Sequence, residues 1–446
     1  MNKRTSALLA ISLVVGVATA AGRNAGLTAE SRPYRTYIAS AARDGMFIPV
    51  PTAPASDLPP APQGWPATFG LGLSDAPGGG AGLAQEGFQF RYQYLAGGAN
   101  TGNGWQSWES NGQFVEDYIR ESTAAGISPV FSYYMVRQSE PGAAMSEQAG
   151  VLANLASDST MNALFADLAA FFRSASAASN GTVVLHFEPD LWGFLQQQAD
   201  NNDASGVPVS VGSSGAPELS GLPDTAAGLA RAVLALRDRY APNVLVAYHY
   251  STWGSGVDHV YADVSKDDLV RMSARSTDFY KSLGANFDLT FAEMSDRDAG
   301  FKQEVYGDGG ASWWDASDFS NHLELMSMFV RSTGLRVVLW QIPLGNTLMR
   351  SMDNTWGHYQ DNKVEWLLGG SDFPQLRSYM AAGVLALLFG RGADGATCAC
   401  DAAADGVTNP TPINGNDRIA TSADDDGGYF RERVAAFASA SEIPLP

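Results

Sequence analysis

The stretch Thr182-Val-Val-Leu-His-Phe-Glu188-Pro189-Asp190-Leu191-Trp192 is a short apolar run that stops abruptly at an acid and a proline. It follows a helical pattern over Met161 to Ser174, where Leu164, Phe165, Leu168, Phe171 and Phe172 recur at helical spacing. Another such pattern follows at Ala226 to Tyr240, carried by Leu229, Ala232, Val233 and Leu236. A strand this short, apolar on both faces and flanked by helices, reads as a buried parallel strand.

Seven further runs share this character: Phe69 to Leu73, Phe88 to Tyr94, Pro129 to Met135, Asn243 to His249, Phe287 to Glu293, Leu335 to Gln341 and Val384 to Phe389. Helical patterns continue at Leu269 to Leu283, Leu323 to Val330, Val364 to Leu368, Leu376 to Met380 and Tyr429 to Phe437. Gly126, Gly284, Gly334 and Gly383 stand where a helix must close before the next strand. Eight strands alternating with helices predict an α/β fold, a (β/α)8 TIM barrel with enlarged loops at the C-terminal face. An open doubly wound sheet would call for a G-x-G-x-x-G turn after the first strand. Here Gly70-Leu-Gly72 lies within the run itself. The short spacing of the first two runs leaves room for only a very short first helix, or for none.

The 446 residues divide unevenly. Residues 1–20 read as a signal peptide: Lys3 and Arg4, an apolar run from Ala7 to Val17, and a small-residue cleavage site at Ala18-Thr19-Ala20. The apolar run is too short to span a bilayer. Residues 21–64 form a Pro-rich leader, and the barrel domain is expected over residues 65–446. Export therefore places the mature protein outside the cytoplasm, extracellular or periplasmic, and free of the membrane after cleavage.

The balance of 28 Lys and Arg against 47 Asp and Glu gives a formal charge of -19. Such a surface repels phosphate backbones and anionic bilayers, which argues against nucleic-acid and membrane partners. Two cysteines exclude a disulfide framework and a Cys-rich zinc site.

Chemistry in such a barrel sits at the C-terminal ends of the strands. Eight of the ten tryptophans fall there: Trp105, Trp108, Trp192, Trp253, Trp313, Trp314, Trp340 and Trp356. Aromatic faces stack on the C–H faces of sugars, so this distribution points to carbohydrate, although long loops also bury tryptophan for packing alone. Glu188 and Glu293 each end an apolar run, and two such glutamates can flank a glycosidic bond as proton donor and nucleophile. The alternative for each is an ion pair with Arg91, Arg137 or Arg297. Arg91, Tyr94, Trp105, Trp108, His186, Asp190, Trp192, His249, Trp253, Asp296, Trp340, Gln341 and Trp356 are the candidate substrate-binding residues. His186 shares the strand face of Glu188 and is a candidate hydrogen-bond partner for it. No H-E-x-x-H or G-x-S-x-G motif is present.

Phe187-Glu188-Pro189 resembles the Asn-Glu-Pro that ends the fourth strand of clan-A glycoside hydrolases. Glu188 and Pro189 match, and the asparagine does not. The resemblance implies a (β/α)8 enzyme with Glu188 as acid/base. It also implies a nucleophilic glutamate at the end of strand 7, where this chain has Trp340-Gln341. Glu293 on strand 6 is the comparable residue, with Asp190, Asp296 or Asp298 as the alternatives for an inverting reaction.

The expected activity is thus a monomeric, secreted glycosidase that needs no cofactor. The alternative is a non-catalytic carbohydrate-binding barrel. Seven aspartates between 394 and 426, with interspersed Gly and Pro, suggest a structural calcium ion held by Asp394, Asp401 and Asp405. Cys398 and Cys400 beside them are candidates for a tight disulfide.

Overall fold

The computed structural model describes residues 57–446 apart from 111, 180, 296, 348–359, 391–428 and 441. Asp296, Trp356, Asp394, Asp401, Asp405, Cys398 and Cys400 lie outside the described residues, as do residues 1–20 and most of the leader.

Each apolar run forms a strand within two residues of its expected position. The first half reads β1 Gly70–Ser74, α1 Gly80–Glu86, β2 Phe90–Leu95, α2 Phe114–Ala124, β3 Ser128–Tyr133, α3 Glu147–Leu155, α4 Asp158–Ala178 and β4 Val184–Phe187. The second half follows with α5 Leu191–Gln198, α6 Ala226–Tyr240, β5 Leu245–Tyr250, α7 Lys266–Ser282, β6 Leu289–Glu293 and α8 Ala316–Thr333. It continues through β7 Val337–Ile342, α9 Lys363–Leu368, α10 Pro374–Ala381, β8 Val384–Phe389 and α11 Tyr429–Ser439. All neighbouring strands pair in parallel, and β8 pairs back onto β1, closing the barrel in sequence order. The first helix, α1, has only 7 residues.

Local chemistry agrees with this order. The hydroxyl of Ser157 accepts from the N–H of Thr160 at the start of α4, and that of Thr225 from Gly228 at the start of α6. Ser265 with Asp268 and Asp315 with Asp318 form reciprocal caps on α7 and α8, satisfying amides that the first helical turn leaves unbonded. Gly334 closes α8 at φ 78°, and Gly383 precedes β8 at φ 107°. Side chains with a β-carbon rarely adopt that backbone geometry.

The barrel interior is filled by alternate residues of strands β2 to β8: Phe90 and Tyr92, Val130, Val184, Leu245 and Ala247, Leu289 and Phe291, Val338 and Trp340, and Ala386 and Leu388. The intervening positions face the helices in a second, larger apolar layer. Trp65 closes the N-terminal end of the barrel, stacking on Phe90 at 4.9 Å. Among the described residues no helix is long and apolar enough to cross a membrane.

Candidate active site

Strand alternation predicts which residues reach the C-terminal mouth on the inner face. On β2 the inner series Phe90, Tyr92 ends at Tyr94; on β5 it ends at His249; on β6 it ends at Glu293. His186 on β4 is also interior, stacked on Phe291 with ring centroids 4.4 Å apart.

Two positions break the alternation. Glu188 should share the face of His186, but its backbone is left-handed, with φ 49°. Its carboxylate is carried to the exit of β3, where one oxygen accepts the N–H groups of Met135 and Val136, each at 2.9 Å. The reversal continues two residues later at Asp190, φ 68°. Gln341 on β7 likewise has φ 54° and lies in a register irregularity between Leu339 and Ile342. The irregularity lets Gln341 reach the site, where its side-chain oxygen accepts from the Tyr94 hydroxyl at 3.2 Å. Left-handed backbone costs a non-glycine residue about 1–2 kcal/mol, and these strained positions cluster at one mouth of the barrel.

Of the two glutamates expected, Glu293 is joined in a tight cluster by Asp190 and His249. One oxygen of Asp190, one of Glu293 and a ring nitrogen of His249 lie within 4.8 Å of one another. Glu188 is not among them, because its left-handed backbone commits it to the β3 amides. Asp190 and Glu293 keep part of their surface open to solvent, while His249 is fully buried.

The electrostatics follow from enclosure. Burial, and then the nearby charge of Glu147, pushes Asp190 well above the usual carboxylate range, against a hydrogen bond from Trp253. Burial, and then the charge of Asp190, pushes Glu293 up, while Lys302 and Arg297 favour its ionised form. Glu188 is pushed up to about 8 by burial, which outweighs the two backbone N–H donors. His249 is pushed down to about 3 by burial, so it is neutral near pH 7. Its Nδ1 lies 2.8 Å from Nε2 of His186, and Nδ1 of His186 lies 3.2 Å from the Ser132 hydroxyl. His186 therefore partners His249 and Ser132, and not Glu188 as its strand position suggested.

Tyr94 and Trp340 wall the acid pair, with ring centroids 5.8 Å apart. Tyr134, at the end of β3, joins them 6.4 Å from Tyr94 and donates to Glu147. Trp253 packs on Phe194 beside Asp190.

Other candidates are engaged elsewhere. Arg91 is buried against the helix layer, paired with Asp75 at 3.0 Å and Glu121 at 2.9 Å. Arg137 donates to the carbonyls of Gly142, Ala143 and Met145. Trp105 is buried and donates to Asp167, and Trp192 is packed between Phe187, Tyr248 and Phe287. Trp108 lies half-buried against Phe114. Trp313 and Trp314 are buried as well. Asp298 accepts the N–H of Gly345, which ties the β6 and β7 loops together.

Glu147, Asp258 and Lys302 shape the field of the acid pair from loop or helix positions that no strand pattern marks. Ser132 had a signal, since it is the inner-face residue two positions before Tyr134. Asp190, His249 and Glu293 form an N/O donor set suited to a divalent cation as well as to a shared proton.

No family model matches the sequence, and no curated protein matches it. Solved structures similar to it include clan-A (β/α)8 glycoside hydrolases at low sequence identity, and no specific family is established. An endo-beta-1,4-mannanase double mutant from Cellulomonas fimi is 12% identical over 85% of this chain and 72% of its own, with a TM-score of 0.45. The GH53 catalytic domain of Ignisphaera aggregans is 12% identical over 74% of this chain and 87% of its own, with a TM-score of 0.39. A glycoside hydrolase family 5 enzyme from Prevotella bryantii is 10% identical over 75% of this chain and 90% of its own, with a TM-score of 0.38. These likenesses concern the barrel; the chemistry of the mouth rests on its own geometry.

Proposed function

We propose that the protein is a secreted glycoside hydrolase acting on a poly- or oligosaccharide, with Asp190 and Glu293 as its two carboxylates. The observation that carries this reading is their approach within 4.8 Å at the C-terminal mouth of the barrel. Carboxyl groups about 5–5.5 Å apart belong to retaining enzymes, and wider pairs to inverting ones. Nearest oxygens within 4.8 Å favour the retaining arrangement, and the configuration of the product decides it.

Charged neighbours divide the roles. Among the neighbours that act on one carboxyl only, Lys302 and Arg297 favour the anion at Glu293 and Glu147 favours the proton on Asp190, while Asp258 favours the proton on both. Glu293 attacks the anomeric carbon as the glycosidic C–O bond breaks, and Asp190 passes its proton to the departing oxygen. Water then attacks the glycosyl-enzyme, Asp190 takes the proton of that water, and the bond to Glu293 breaks. Tyr94, Tyr134, Trp253, Trp340 and Gln341 supply the aromatic and amide surface for sugar. The reaction needs no cofactor, a monomer suffices, and neither nucleic acid nor membrane is a partner. The signal-like residues 1–20 support export.

The test is purified protein on a polysaccharide panel, with product anomers followed by NMR. Reducing ends released with retained configuration are expected. Glycan binding with no hydrolysis at any pH would replace this reading by the non-catalytic carbohydrate-binding barrel.

A further inference from the structure

His249 stands on β5, between the strands that supply Asp190 and Glu293. Its ring is fixed from behind. Nδ1 is engaged by His186, whose other nitrogen meets Ser132. The ring also stacks at 5.0 Å on His186 and meets the edge of Trp340 at 5.9 Å. The remaining nitrogen, Nε2, is fully enclosed and has no hydrogen-bond partner. A buried ring nitrogen left unbonded beside two carboxylates is an arrangement that a cation completes.

We propose that Asp190, His249 and Glu293 form a binding site for a divalent first-row transition ion of the zinc type, and that the ion blocks hydrolysis by occupying both carboxylates. One imidazole nitrogen and two carboxylate oxygens are donors such an ion accepts at about 2.0–2.2 Å. Magnesium and calcium prefer all-oxygen shells with more ligands, so the imidazole selects against them. The neutral ring and two carboxylates carry two negative charges, matching a dication without a further counter-ion. His186 and Ser132 supply the outer hydrogen bonds that orient a ligating imidazole. The partly exposed faces of Asp190 and Glu293 leave the fourth position open to water from the mouth. The binding half of the proposal is independent of the hydrolytic reading; the inhibitory half rests on it.

Chelator-treated full-length protein is titrated with Co2+, read by visible d–d absorption, and with Zn2+, read by calorimetry. Glu293→Gln, of nearly the same shape, and His249→Gln are compared with wild type. A Cys398→Ser/Cys400→Ser protein separates this site from binding by thiolates. One equivalent is expected in wild type and in the cysteine variant, weakened at least about tenfold in Glu293→Gln and His249→Gln. Circular dichroism verifies that the variants are folded. No binding by wild type, or equal affinity in a folded Glu293→Gln protein, overturns the site. Zn2+ is then added to the hydrolysis assay. Competitive inhibition is expected, and undiminished activity with the site loaded overturns the inhibitory half. If no glycan is hydrolysed, the hydrolytic reading fails while the titrations still decide the metal site.

Discussion

Asp190, just past β4, and Glu293, at the end of β6, present oxygens within 4.8 Å of each other across the mouth of the intervening strand β5. Two carboxylates this close and this enclosed cannot both ionise without a large repulsive cost, so they act as one titrating unit. The resulting behaviour separates them from Glu188.

Replacing either member of the pair removes an essential proton donor or nucleophile. Asp190→Asn and Glu293→Gln are expected to lower kcat about 10²–10⁴-fold. Glu188→Gln keeps the acceptor oxygen for Met135 and Val136 and is expected to lose less than about tenfold. Parallel kinetics on one substrate check this. A Glu188→Gln loss as large as that of Glu293→Gln would restore Glu188 as a catalytic acid.

The pair also sets the pH profile. A charge on either carboxyl opposes ionisation of the other, and Asp190 is accordingly among the causes that raise Glu293. Asp190→Asn removes that charge, so the proton on Glu293 is released at lower pH than in wild type. Carboxyl NMR chemical shifts across a pH series measure the change directly. An unchanged Glu293 titration in Asp190→Asn would mean that the carboxylates do not interact.

Glu188 links pH to stability. Its folded pKa of about 8 lies above the ordinary glutamate value, so the folded state holds a proton that the unfolded state has released. That contribution is complete below the unfolded pKa of about 4.3 and is lost as pH rises towards 8. Glu188→Gln is expected to flatten the decline of Tm over this window and to leave the variant more stable than wild type at pH 8. Thermal melts at several pH values provide the comparison.

Asp167 holds a structural node, accepting from Tyr133 at 2.7 Å, Trp105 at 2.9 Å and Gln106 at 2.6 Å. Asp167→Ala leaves two buried donors unpaired and is expected to cost about 2–5 kcal/mol. Asp167→Asn keeps acceptor capacity and should cost about 1 kcal/mol. Denaturant unfolding reads both. Trp105→Phe is expected to lower stability while leaving glycan affinity unchanged, since the indole is buried behind the barrel wall.

The strands were legible because a buried parallel strand has a local signature. Val384 to Phe389, for example, is uniformly apolar and became β8 without adjustment. The acid pair was only half legible. Glu293 obeys alternation along β6, and its inward position follows from Leu289 and Phe291. Glu188 and Gln341 do not obey it, because each adopts a left-handed backbone that neither residue type favours. Asp190 was visible only as one of several acids near a strand end. The tryptophans misled for another reason: Trp105 and Trp314 are buried for packing in the segments that cover the barrel, and Trp192, on α5, packs into the layer between strands and helices.

The seven-residue α1 leaves a shortened segment in the outer ring, and α11 packs against it. Arg431 of α11 pairs with Glu86, and Gly87, at φ 95°, leaves room for Ala438, whose β-carbon would lie 2.3 Å from any side chain placed there. The outermost layer is thus sealed by joining nearly the first element to nearly the last. Such a seam imposes an order on assembly: the inner sheet can pair strand by strand, but the shell stays open until Tyr429 to Ser439 has been made. Contacts of this sequence separation slow folding, since the α1–α11 seam closes only once Tyr429 to Ser439 is in place.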